Sequence, residues 1–479
     1  MNLADLKHFT DRKWDEDLLP RLVDYVKVPA KSPGFDASWA AHGYLQGVVQ
    51  SAYLWSVAQK IAGMKIEVVE IPGRTPCIFF DVPATGGRGN ERTVLFYGHL
   101  DKQPEMTGWR EDLGPWVPKI EDGKLYGRGA ADDGYAIYAA LTIIAALDAQ
   151  GAARPRCVGI IETCEESGSP DLPEYLALLA PRLGDVALVA GLDSGCGNYD
   201  QLWVTTSLRG LVGGTLTVEV LSEGVHSGKA SGIVPSSFRI ARQLLNRIDD
   251  PATGRVLDEV FHAVIPAERI GQAQAAGEIL GDQVWKEFPW VGCIHGPDGH
   301  AHAMPTTTDP VEGILARTWK PALSVTGAAG FPSIDSAGNV LRPKTSFKLS
   351  MRLPPTVDGE RAAAALRRIV TENAPYNAKV SFEGEAAATG WNAPETAPWL
   401  KRAADAASRS VWGRDAAWMG EGGTIPFMNM LGEKFPRAQF LITGVLGPHS
   451  NAHGPNEFLH IPYVKQLTAA VASIVAAAE

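Results

Sequence analysis

A histidine and an aspartate one residue apart, His99 and Asp101, follow directly on the apolar stretch Thr93-Val94-Leu95-Phe96. That spacing puts an imidazole at a strand end with a carboxylate beside it, a pattern suited to a metal ligand whose tautomer is held by a neighbour. A lone His-x-Asp is more often a solvated loop, so its weight comes from repetition. Cys157-Val158-Gly159-Ile160-Ile161 is a second buried-strand run, and it breaks into Glu162-Thr163-Cys164-Glu165-Glu166. A third, Asp185 to Ala190, ends at Asp193, and a fourth, Ala438 to Thr443, leads into a glycine-rich loop carrying His449 and His453. Between them, Gly127-Arg128-Gly129-Ala130-Ala131-Asp132-Asp133-Gly134 precedes the apolar run Tyr135 to Leu147, which reads as a buried helix. Either Asp could cap that helix, and Glu165-Glu166 could be a solvated acidic pair. Taken together, imidazoles and carboxylates without thiolates suit a two-metal hydrolytic site.

Such residues meet only if a fold gathers them. In open α/β sheets, sites form beyond the carboxyl ends of the strands, so the four runs are expected to share one rim of a mostly parallel sheet flanked by helices. At 479 residues the chain exceeds a single core, and its 45% hydrophobic content supplies two. No metal-ligand motif occurs between Asp193 and Glu421. The part from residue 208 to 388 instead carries a strand-like Gly214–Val220 and helix-like pieces at Ser236–Arg247 and Arg361–Glu372. The expectation is a catalytic domain in two segments, 1–207 and 389–479, with residues 208–388 inserted. The Gly/Pro-rich stretch Pro289 to Pro310 reads as a loop of the insert, and its His295, His300 and His302 as surface residues rather than a second metal patch.

A formal net charge of −10 gives no basic footprint for nucleic acid and repels anionic membranes. No window approaches the apolar length of a membrane span. The start, Met1 to His8, lacks a basic and apolar leader, and five cysteines without paired spacing read as reduced core thiols. A cytoplasmic enzyme is expected.

In order and spacing, His99-Leu100-Asp101, Gly127 to Asp132, Glu165 to Ser169, Asp193, His226-Ser227-Gly228, Glu421-Gly422-Gly423-Thr424-Ile425-Pro426 and His453-Gly454-Pro455-Asn456-Glu457 resemble the M20 metallopeptidases, within them the carnosinase-like dipeptidase branch. The resemblance covers nearly the whole chain. It implies a zinc-exopeptidase-like catalytic domain with an inserted α/β sandwich that serves as lid and dimerisation domain. It implies two divalent ions per subunit, Zn²⁺ first, with Mn²⁺ or Co²⁺ also suited. His99 and Asp193 would hold one, Glu166 and His453 the other, and Asp132 would bridge them. Glu165 would be the general base and Asp101 would orient His99. His226 would reach from a dimer partner to stabilise the oxyanion, Arg352 would bind the substrate carboxylate, and Gly422, Gly423 and Thr424 would form a backbone cradle.

Without the motif, His226 would be a loop histidine and Arg352 a solvent-facing residue of an alternating strand. One position departs from the dipeptidase pattern. Gly420 stands where an Arg precedes Glu-Gly-Gly, and Thr424 replaces a Ser. The implied activity is hydrolysis of a dipeptide with a free C-terminal carboxylate. The alternatives are an N-acyl-amino-acid deacylase or carboxypeptidase, and, in another class, a non-hydrolytic binding protein on the same fold.

Overall fold

In the computed structural model, which describes residues 2–291, 303–424 and 426–478, the chain divides into two compact units. One contains the chain up to Thr206, Ala393–Met419 and the chain from Met430 on; the other contains Ser207–Asn392 and Gly420–Asn429. The histidines His295, His300 and His302 lie outside the described residues, as does Cys293.

The first unit is built on a six-stranded sheet in the order Lys65–Val69, Cys77–Val82, Arg156–Glu162, Arg92–His99, Asp185–Gly191, Gln439–Ile442. The last four are mutually parallel, and the first two join antiparallel. Inner strands such as Arg92–His99 and Asp185–Gly191 are buried at every position but the first, which is why they read as unbroken apolar runs rather than alternating ones. Parallel alignment brings the ends of all four expected strands to one rim. Helix Ala136–Ala149 lies against Arg92–His99 and packs on the C-terminal helix Ile461–Ala476. A glycine makes that approach: a Cβ at Gly98 would sit 2.5 Å from the Cβ of Ala136.

The second unit has a four-stranded antiparallel sheet in the order Ala322–Ala329, Lys344–Leu353, Gly210–Glu219, Lys379–Gly384. Buried and half-buried residues alternate along Gly210–Glu219, the signature of a sheet covered on one face. Helices Ser237–Leu245 and Gly359–Thr371 cover it, with Leu216, Ile240, Leu349, Met351 and Leu366 in the shared core. Side chains cap both: Ser236 Oγ accepts from Arg239 N at 3.3 Å and Asp358 Oδ1 from Arg361 N at 2.7 Å.

The unit boundaries fall at Ser207 and Asn392 rather than at 208 and 388, and one inner segment also departs from the expected division. Gly420–Asn429 was assigned to the catalytic segment 389–479, yet it belongs to the second unit. The reason is local bonding. Arg209 donates its backbone N–H to Gly423 O at 3.0 Å and its Nε–H to Gly422 O at 3.2 Å, while Arg352 donates to Thr424 Oγ1 at 2.7 Å.

Candidate active site

His99 is the last residue of its strand and is fully buried. Its Nδ1–H points at the carbonyl oxygen of Asp101, 3.1 Å away, which leaves the lone pair on Nε2. That Nε2 has no hydrogen-bond partner. It faces a ring of carboxylates instead: Asp132 Oδ1 at 3.3 Å, Asp193 Oδ2 at 3.8 Å and Glu165 Oε2 at 3.9 Å. On the far side of Asp132, His453 Nε2 lies 3.0 Å from Oδ2 and 3.3 Å from Glu166 Oε2. One carboxylate thus stands between two imidazoles.

Two triads bring ligand atoms within 4.8 Å of one another, His99 with Asp132 and Glu166, and His99 with Glu165 and Asp193. The donor set fits divalent cations on two counts. A buried imidazole nitrogen without a partner is a ligand in waiting. The cluster is also short of positive charge. Burial, reinforced by the neighbouring carboxylates, pushes Asp193 up to about 7 and raises Glu165 and Glu166 well above the usual carboxylate range. Asp132 goes the other way, because its contact with His453 and the closeness of both imidazoles outweigh its burial. The same contacts outweigh desolvation at His453 and raise it to about 9. Cations placed among these groups would relieve the repulsion.

Asp101 does more than the sequence suggested. Its carboxylate is 3.4 Å from His99 Nδ1, and it also accepts the backbone N–H groups of Glu165 at 3.2 Å and Glu166 at 3.0 Å. A single buried carboxylate therefore fixes both the imidazole and the short turn Glu165–Ser167. Neither Asp132 nor Asp133 caps the helix: its N-cap is Tyr135, without a side-chain bond, and Asp133 Oδ2 accepts from His99 N at 3.3 Å.

Other contributors were not singled out from sequence. Gln103 Nε2 donates to Glu166 Oε2 at 2.6 Å. Arg128 and Glu457 form a buried ion pair at 2.6 Å, with Glu457 also accepting from Gly129 N at 2.9 Å. The second arm of Arg128 donates to the carbonyls of His453 and Gly454, at 3.0 and 2.8 Å. Both residues sit in quoted motifs, and their spacing from Asp132 and His453 was the available signal. Together they tie the loop of His453 to the turn of Asp132. His449 is exposed and ends outside this cluster.

The other residues singled out from the sequence lie in the second unit. Arg352, Thr424 and Gly422–Gly423 come together as described, with Arg209 among them. His226 is exposed, caps the short helix Ser227–Ala230 and accepts from Gly228 N through Nδ1 at 3.1 Å. Cys77, Cys157 and Cys164 are buried and in no disulfide, and Cys196 is buried too. Among the described residues, no helix is long and apolar enough to cross a membrane.

The chain is 26% identical over 378 residues to a cysteinylglycine-S-conjugate dipeptidase of Corynebacterium striatum, covering 77% of each chain. It is 26% identical over 416 residues to the β-Ala-His dipeptidase of Homo sapiens, covering 80% of this chain and 75% of the relative. A solved dipeptidase of Saccharomyces cerevisiae superposes with a TM-score of 0.75 at 23% identity, over 99% of this chain and 98% of that one, which speaks to the fold. Residues 95–479, spanning every proposed ligand, match the peptidase family M20/M25/M40, and to that family the chain belongs.

Proposed function

We propose that this protein is a binuclear metallodipeptidase that acts as a homodimer in the cytoplasm and cleaves the amide bond of dipeptides with a free C-terminal carboxylate. The observation that carries it is Asp132, held between the Nε2 atoms of His99 and His453 with Asp193, Glu165 and Glu166 around them. Dipeptidase relatives with different substrates favour a dipeptide over an N-acyl amino acid.

His99 and Asp193 would hold one ion and Glu166 and His453 the other, with Asp132 shared between them. Zn²⁺ suits this set of two nitrogens and three carboxylates, as do Mn²⁺ and Co²⁺. Ions held there would supply the Lewis acidity that polarises a scissile carbonyl and makes a neighbouring water acidic. Glu165 takes that water's proton on its carboxylate and delivers it to the leaving amine nitrogen. Burial and the charge of Asp193 raise its pKa, which favours holding the proton between the two transfers. Asp101 keeps His99 and the Glu165–Glu166 turn in register. Arg352 receives the C-terminal carboxylate through a charge-assisted pair, beside the backbone of Gly422, Gly423 and Thr424. The buried thiols of Cys77, Cys157 and Cys164, in no disulfide, suit a reducing compartment.

A panel of dipeptides, their C-terminal amides and N-acyl amino acids, given to metal-loaded enzyme, tests the reading. Dipeptides should be turned over fastest. Arg352→Ala should raise KM for the free acids by about tenfold or more, and much less for the amides, because only the acids lose a charged partner. Faster cleavage of N-acyl amino acids would make the protein a deacylase.

His226 completes the partner subunit's site in this proposal. Its Nδ1 is occupied by Gly228 N, so Nε2 carries the proton and is free to donate to an oxyanion. Co-expressing Glu165→Ala with His226→Ala, each inactive alone, should restore roughly a quarter of wild-type activity, since half of randomly mixed dimers carry one intact site of two. Purified heterodimers that stay inactive would return His226 to its own chain.

A further inference from the structure

Two guanidinium groups converge in the second unit without a counter-charge. Arg209 immediately precedes strand Gly210–Glu219, and Arg352 lies on the paired strand Lys344–Leu353, where it stands opposite Leu211 while Leu353 stands opposite Gly210. The ladder thus fixes both arginines at one end of the strand pair. Each spends one donor on the turn between Gly422 and Thr424: Arg209 Nε on Gly422 O, Arg352 on Thr424 Oγ1. Among the described residues, neither has a carboxylate within ion-pair distance. The neighbouring Arg317 differs, for it is paired with Glu287 at 2.8 Å.

Both unpaired guanidiniums are half-buried, and burial lowers their pKa, Arg209 to about 10 with Arg352 and Arg317 adding repulsion. Clustered, partly desolvated like charges are unfavourable unless an anion joins them. Neighbouring side chains crowd the adjacent strand where a further cation could stand, since a Cβ at Gly420 would lie 2.3 Å from Ser207 Oγ and 3.1 Å from Thr318 Cβ. The positive charge available near Thr424 is therefore that of Arg209 and Arg352.

We infer that Arg209 is a specificity-determining residue that receives a second carboxylate beside the one bound by Arg352, so that the preferred substrates are dipeptides ending in Asp or Glu. This rests on the dipeptidase reading. Each guanidinium offers a planar fork matched to one carboxylate, and a C-terminal Asp or Glu presents two within a few bonds of each other. A neutral C-terminal residue leaves one fork unanswered and desolvated.

The test compares isosteric substrates on the metal-loaded full chain: Ala-Glu against Ala-Gln, and Ala-Asp against Ala-Asn. Wild-type kcat/KM should favour at least one acid over its amide by about tenfold or more, the loss that an unmade charged hydrogen bond brings. In Arg209→Gln that ratio should fall to about one, chiefly through KM, and Arg209→Lys should recover part of it. Equal turnover of acid and amide by the wild type overturns the inference without any variant, and leaves the dipeptidase reading standing. An equal loss on both substrates in Arg209→Gln also overturns it, and makes Arg209 a support for the Gly422 turn. No turnover of any of the four peptides would reject the dipeptidase reading and this specificity with it.

Discussion

Glu165→Gln is expected to lower kcat by about 10²–10⁴-fold, the usual worth of a positioned proton acceptor, while the protein keeps its metal. The amide matches the carboxylate in size and leaves the backbone alone, so the N–H of residue 165 still reaches Asp101. What it loses is the ability to take a proton. Glu166→Gln is expected to behave differently. Glu166 faces His453 at 3.3 Å and accepts from Gln103, so the charge removed there belongs to the ion-holding ring. Its kcat should fall because metal is lost, and excess metal should restore part of it. Kinetics alone would not separate the two variants; metal content per chain, measured by elemental analysis beside kcat, does. Because Glu165 also lies within ligand reach of His99 and Asp193, the comparison is a real choice. Metal loss in Glu165→Gln with metal retention in Glu166→Gln would exchange the two roles.

How much of this was legible in the sequence depended on the range of the interaction. The four parallel strands were readable because strands buried on both faces are continuous apolar runs, and their shared rim follows from parallel pairing. Lys65–Val69 and Cys77–Val82 escaped, since the first is half-exposed at the sheet edge and carries no chemistry at its end. The polar residues of the centre were legible as types at strand ends. Their bonding was not. Asp101 looked like a partner of the histidine two residues away, and nothing in the sequence says that its carboxylate closes on backbone N–H groups of Glu165 and Glu166 as well. Arg128 and Glu457 are 329 residues apart, so neither motif could announce the other. Likewise Gly420–Asn429 follows its hydrogen bonds to Arg209 and Arg352 rather than its place in the chain.

Chelation is expected to abolish hydrolysis, and the two ions should leave and return together. Asp132 stands between the imidazoles, 3.3 Å from His99 Nε2 and 3.0 Å from His453 Nε2, so a site emptied on one side alters the carboxylate that the other depends on. The surrounding groups push the same way. With both ions gone, burial and mutual repulsion hold Asp193 and Glu166 toward their protonated forms, and protons compete for the ligands that metal needs. The first ion to return removes that competition for the second. Titrating the stripped protein with Zn²⁺ or Mn²⁺ should therefore give little activity below one equivalent per chain and a steep rise toward two. Ion binding should also raise the unfolding temperature, since ligands bound only by the native state stabilise it. A linear rise that saturates at one equivalent would reduce the centre to a single metal. Undiminished turnover by protein freed of both ions would remove the metal from the mechanism altogether.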